Sequence, residues 1–275
     1  RSALVSAVAL NSAIWSGTRM IAPAAAGIII AVFNPAFAFF AASFGFALMA
    51  YFIYSLKPIP SVAATRVSPA KEMLEGFNFI RRNSPFPFLI VMTFFNSFFG
   101  ISYIYLMPVF AIDILKIGTI GQGWLLSISG VGSLVTTVWL GTAKTINNKS
   151  VLVIGGGIGF GLSIAAFGLT SRFLPSYGIA LLLMLVIGLT SSTYMISIQS
   201  SLQLLVPDNM RGRVMGFFGM SWNILPIGGM QVGTLASFIT APYAVATGGF
   251  AVAAFTSLAF TFSSKVRNLN SLIRT

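Results

Sequence analysis

The chain has 275 residues, of which 56% are apolar and only 7% charged, and its net charge is +12. A water-facing domain devotes about a quarter of its residues to charge, so this composition excludes a soluble globular fold. With no cysteine, no histidine and only four acids (Glu72, Glu75, Asp113 and Asp208), it also excludes disulfides, thiolate chemistry, zinc sites and histidine acid–base catalysis.

The apolar residues come in long runs, and runs of about 18 or more read as membrane-spanning helices. Eight are expected: Ala3 to Val32, Ala36 to Leu56, Phe86 to Ala111, Gly121 to Leu140, Val151 to Thr170, Tyr177 to Ile198, Val214 to Ile239 and Tyr243 to Ser263. In hydrocarbon every backbone amide must be satisfied internally. The runs lack the period-2 alternation of a barrel strand. The predicted fold is therefore all-α, a polytopic helical bundle. The chain opens on Arg1 rather than Met, almost directly into an apolar run and without a signal-peptide pattern, so further residues are expected upstream.

The first span holds Asn11, Ser12, Thr18 and Arg19. Arg19 is the only charge expected in mid-span, where an arginine costs about 2.5–3.5 kcal/mol on insertion scales and usually faces a cavity or a partner. A pathway cation and a structural ion pair are both open readings. Pro23, later in the same run, permits a bend, as do Pro108 and Pro226 in the third and seventh spans. The second span is almost wholly apolar.

Between the second and third spans lies the longest connection, residues 57–85. Ser68-Pro69 reads as a helix start, and Met73, Leu74, Phe77 and Ile80 recur at helical spacing. A short amphipathic helix on the membrane surface is expected there. This linker divides the chain into residues 1–56, with two helices, and residues 86–275, with six.

The third span carries Asn96, Ser97, Tyr103 and Tyr105. The fifth carries Gly155, Gly156, Gly157, Gly159 and Gly161, which fail the spacing of a dinucleotide loop. The pairs Gly155/Gly159 and Gly157/Gly161, with Gly229/Gly233 in the seventh span, are instead spaced for close helix contact. The sixth span holds Thr190 to Tyr194 and ends near Gln199. The seventh holds Ser221, Trp222, Asn223 and Gln231. Spans one, three, six and seven are expected to line a wet cavity. Its candidate substrate-pathway residues are Asn11, Arg19, Asn96, Tyr103, Tyr194, Gln199, Trp222, Asn223 and Gln231. For an isolated Ser or Thr, interhelical hydrogen bonding is the simpler reading.

When successive connections alternate sides, thirteen basic residues fall on one side and two, Lys116 and Arg172, on the other. The positive-inside rule makes the rich side cytoplasmic, which puts both ends of the visible chain there and implies a multi-pass cell-membrane protein. The basic residues sit between apolar runs rather than on one stripe, so nucleic acid is not an expected partner.

Several motifs resemble one family. Ala7 to Gly27, A-V-A-L-N-S-A followed by Arg19 and Ala22-Pro23-Ala24-Ala25-Ala26-Gly27, resembles the fifth helix of major facilitator superfamily exporters. The similarity is to the enterobactin-exporter and macrolide-efflux branch. Ala22-Pro23 with Ala26-Gly27 resembles the Gly-Pro exporter motif, with two glycines replaced by alanine. Glu75-Gly76 through Arg81-Arg82 resembles the segment before the seventh helix. Met107 to Phe110 with Gly130 and Gly132 resembles the seventh and eighth helices. The stretch Gln203 to Gly216, with Asp208, Arg211, Gly212 and Arg213, resembles the cytoplasmic link between helices ten and eleven. Its charges can pair with each other or with helix ends. Where the link between helices eight and nine often carries an Asp-Arg pair, this chain has Ala143, Lys144 and Thr145.

The resemblance implies a helical bundle of the major facilitator type, entered at its fifth helix, with four helices upstream. It also implies alternating access by two rocking halves and a small organic substrate such as a drug or siderophore. Protons are the implied coupling ion and the lipid bilayer the surroundings, with no cofactor and no metal. Two other functions are compatible with the residues: a non-transporting membrane scaffold, and a membrane-embedded enzyme acting on lipid. The enzyme would need a His, Asp, Glu or Cys cluster near the interface.

Overall fold

The computed structural model describes residues 2–56, 68–142 and 149–263; within them, the side chains of 2–13, 15, 16 and 69 are outside the description. The expectations for Ala143, Lys144 and Thr145, and for the Asn11 side chain, therefore lie outside the described residues. Every described element is helical. The chain is a helical-bundle membrane protein.

Helix α1 (Ser2–Val32) runs through Pro23 without losing helical form. It is followed by α2 (Pro35–Ser55), which starts on Pro35 after an Asn34 cap whose side chain accepts from the Phe37 amide. Proline at the first helical position costs no hydrogen bond, because that amide would be unpaired anyway. No residue of α2 is buried. A helix apolar on all sides has the character of a membrane span.

The linker helix α3 (Pro69–Arg82) precedes α4 (Phe86–Phe95). The path of α4 then continues irregularly. A π turn at Asn96–Gly100 leads to a 3-10 stretch at Ile101–Leu106, the short α5 (Met107–Val109) and a second π turn at Phe110–Ile114. Pro108 explains part of this, since its ring excludes a normal bond to the carbonyl four residues earlier.

Three regular spans follow: α6 (Gly118–Thr142), α7 (Lys149–Phe173) and α8 (Tyr177–Leu205). The seventh expected span is not continuous. It consists of α9 (Asp208–Met220), a 3-10 turn at Ser221–Ile224 and α10 (Leu225–Ile239), with Pro226 just beyond the break. Helix α11 (Ala241–Phe262) completes the described chain. Among the described residues, six helical stretches have the length and apolar character of a full span: Pro35–Ser55, Phe86–Ile114, Gly118–Thr142, Lys149–Phe173, Tyr177–Leu205 and Ala241–Phe262.

The main seams join α7 to α11, α1 to α6, α6 to α8 and α7 to α8. Between lipid-embedded helices, close packing replaces the hydrophobic effect as the source of association. A Cβ on Gly161 would lie 2.5 Å from the Gly249 carbonyl, and one on Gly249 would lie 2.5 Å from the Gly161 carbonyl. The two backbones of α7 and α11 therefore meet glycine to glycine. Of the expected contact pairs, Gly157 and Gly161 face α11. Gly155 and Gly233 meet no neighbour, because the face of each helix that packs lies about a quarter-turn away.

Two core clusters divide the bundle lengthwise. One holds Leu89, Met92, Tyr194, Ile198, Val214 and Phe218. The other holds Met107, Phe110, Phe160, Phe167, Met184 and Val245.

Candidate functional site

Pro23 has no amide hydrogen, so in a helix the carbonyl four residues earlier, that of Arg19, is left without its usual donor. Helix α6 closes over this place. Gly130 sits against the Arg19 carbonyl, where an added Cβ would lie 2.5 Å away. One turn along, the Ala24 amide donates to the Ser127 hydroxyl at 3.0 Å. The proline and its neighbours thus form a joint between α1 and α6. The Arg19 side chain is exposed and lies within electrostatic reach of the Tyr103 hydroxyl on the irregular α4 path.

The other candidate residues form two groups. Asn96, Tyr103 and Tyr194 are buried, at 1%, 5% and 1% exposure. Tyr194 donates to the Met92 carbonyl at 3.3 Å and lies beside Thr256 of α11. Asn96 directs its amide nitrogen at the Met195 sulfur, 3.5 Å away, while its Oδ1 and the neighbouring Ser97 hydroxyl are buried without a partner. Asn96 and Tyr194 point into the packing among α4, α8 and α11, whereas Tyr103 belongs to the second core cluster. Gln199, Trp222 and Asn223 are exposed, and Gln231 is half-buried.

Many hydroxyls of the sixth expected span bond their own helix: Thr190 to Val186, Thr193 to Leu189 and Ser201 to Ser197. Back-bonding of this kind satisfies the hydroxyl without any ligand.

The two irregular stretches are neighbours. The π turn at Asn96–Gly100 packs beside the 3-10 turn at Ser221–Ile224, and α10 lies along Ile101–Leu106. Gly228 gives the Phe98 carbonyl room to approach, and Tyr105 lies flat over Gly229. At membrane depth, non-helical backbone persists only where protein or a wet cavity surrounds it. Here one side of the breaks is packed, and the other leaves Tyr105, Trp222 and Asn223 exposed.

At one end of the bundle the charges form a clasp. Asp208 pairs with Arg211 at 2.6 Å, one turn apart on α9. Arg213 bridges to the linker helix, with Nη1 2.7 Å from Glu75 and Nη2 3.6 Å from Glu72. Beneath this, Gly76 abuts the Arg213 stem and Phe77 faces Phe217 at 6.3 Å. Gly212 meets no neighbour. The motif thus pairs across two segments that are far apart in sequence. The signal was present in the spacing of Glu72 and Glu75, three residues apart and hence on one helix face.

At the opposite end a cavity of about 460 Å³ is lined by Asp113, Arg172, Thr240 and Pro242, with Val109, Ile114 and Ser171 among the others.

Compared with known proteins, residues 1–230 match the family model described as Major Facilitator Superfamily. No curated protein matches the chain.

Proposed function

Because the chain belongs to the Major Facilitator Superfamily, a family of secondary transporters, we propose that it serves proton-coupled export of a small, moderately hydrophobic organic molecule by alternating access. The observation carrying this reading is the exposed Arg19 cation in α1, alongside the paired breaks of the α4 path and of α9–α10. Arg19 is a cation held at span depth with its side chain exposed rather than packed. An intramembrane charge of this kind is costly, and it is typically retained for a pathway or a partner. The exposed Trp222 and Asn223, the Tyr105 ring and the half-buried Gln231 provide aromatic faces and amide groups on the same breaks. These groups suit an organic solute with a few polar atoms. Asn96, Tyr103 and Tyr194 act from behind, setting the shape of the irregular backbone. Gln199 extends the exposed polar surface along α8, and Asn11 is assigned to the same pathway from α1.

The helix breaks give the pathway its mechanics. Pro108 and Pro226 each adjoin a stretch that lacks regular α bonding, so the two halves of each span can tilt separately. Pro23 sits at the α1–α6 joint. We assign the basic face to the cytoplasm, which makes the clasp around Arg213 a cytoplasmic feature.

The test uses the complete protein in proteoliposomes with an imposed proton gradient and a panel of lipophilic organic solutes. Substrate-dependent proton flux is expected. Arg19→Ala should cut that flux about tenfold or more while leaving membrane expression intact, because removing the charge eases insertion. No flux with any solute would support a scaffold. Equal loss of flux and expression would make Arg19 a structural residue.

A further inference from the structure

Helix α3 has one occupied side and one open side. On the occupied side Gly76 and Ile80 are buried, Arg213 holds Glu72 and Glu75, and Phe79 stacks on Phe86 at 5.4 Å. On the open side Met73 and Leu74 are 55% and 59% exposed, and Phe77, at its edge beside Phe217, is 50% exposed. Helical spacing places these three with Ala70 and Arg81, and Lys71 and Arg82 border them. Arg81, Arg82 and Lys71 are all exposed. Arg213 draws both carboxylates of α3 to the occupied side, so the open side carries three cations and no acidic residue.

The depth of the helix is also fixed. Only Asn83, Ser84 and Pro85 separate Arg82 from the first residue of a span. Such a link reaches roughly 10–14 Å at full extension, so the end of α3 lies at the bilayer surface. An apolar strip flanked by cations at that depth fits the boundary between headgroups and acyl chains.

We propose that this face of α3 is a binding surface for anionic phospholipid. Met73, Leu74 and Phe77 enter the headgroup–acyl boundary, and Lys71, Arg81 and Arg82 pair with lipid phosphates. The Arg213 clasp sets the rotation of the helix so that the ridge faces outward. A cover supplied by this chain itself would have to be acidic. Of its four acids, three are held in the clasp region and Asp113 lies at the opposite end. The proposal rests on the membrane-spanning reading but not on transport, direction or coupling.

These 275 residues hold no cysteine, so a single label can be placed once any cysteine outside them is replaced by serine. Leu74→Cys in the complete protein is labelled with an environment-sensitive fluorophore and placed in nanodiscs of phosphatidylcholine, with or without phosphatidylglycerol. Phosphatidylglycerol should shift emission to the blue and increase quenching by nitroxides on the lipid chains. High salt should reverse both effects. Each neutralisation in the series Lys71→Gln, Arg81→Gln and Arg82→Gln should lower the lipid preference about fivefold. Identical emission and quenching in both lipids would overturn the proposal. So would a probe shielded even in detergent, which would mean that protein covers the ridge. Salt reversal in the otherwise unaltered labelled protein keeps the test decisive where a charge variant fails to fold.

Discussion

Thr240 stands between α10 and α11 with φ 75° and ψ 154°. This backbone region is almost reserved for glycine and costs about 1–3 kcal/mol for other residues. Its side chain makes no capping hydrogen bond that would offset the cost. Thr240→Gly should therefore raise stability by about 1 kcal/mol or more, read as a higher midpoint in thermal unfolding of the detergent-solubilised protein. An unchanged or lower midpoint would mean that the Thr240 side chain contributes more at the cavity rim than the backbone loses. Nothing in the sequence marks this residue: Thr240 precedes Ala241-Pro242 as an ordinary turn residue would. Arg19 is the contrary case. A lone charge in an apolar run is legible without coordinates, whereas the seating of the Arg19 carbonyl against Gly130 is not, because it depends on how two spans far apart in sequence pack.

At the scale of elements, the clasp joins α3 to α9 through one arginine and two glutamates. Partly exposed pairs contribute about 0.2–1 kcal/mol each, so the geometry matters more than the energy. Arg213→Glu should place three carboxylates together and lower the thermal midpoint. Arg213→Glu combined with Glu75→Arg should recover much of it. Failure of the double variant to exceed the single one in the same melting assay would show that the Gly76 and Ile80 packing, rather than charge, holds α3. The helix itself was readable from Ser68-Pro69 and the recurrence of Met73, Leu74, Phe77 and Ile80. Its partner was not readable, because the sequence offered α9's own Asp208 as an equally good neighbour for either arginine. The breaks were half-legible. Pro108 and Pro226 marked a weakness, but the π turn at Asn96–Gly100 arises from packing against Gly228 and α11, which no local pattern encodes.

For the molecule as a whole, length and apolarity sufficed to place six of the eight expected spans, because hydrocarbon leaves the backbone few choices. The pathway was less legible. Periodicity cannot say which face of a uniformly apolar helix meets a neighbour, so the burial of Asn96 and Tyr194 was not readable from the sequence. The alternation of spans does make a definite prediction. Reporter tags at Lys144 and at Arg172, read by protease or thiol accessibility in intact cells, should appear in opposite compartments. Finding both in the same compartment would remove the basis for calling the basic face cytoplasmic.

The distribution of carboxylates has a chemical corollary. Three of the four cluster around Arg211 and Arg213, and the fourth lines the far cavity. The hydrophobic interior of these spans therefore offers nothing for a lipophilic carbodiimide to modify. If such a reagent modifies these residues, Asp113, at the end of the Phe86–Ile114 path, is the acid within its reach.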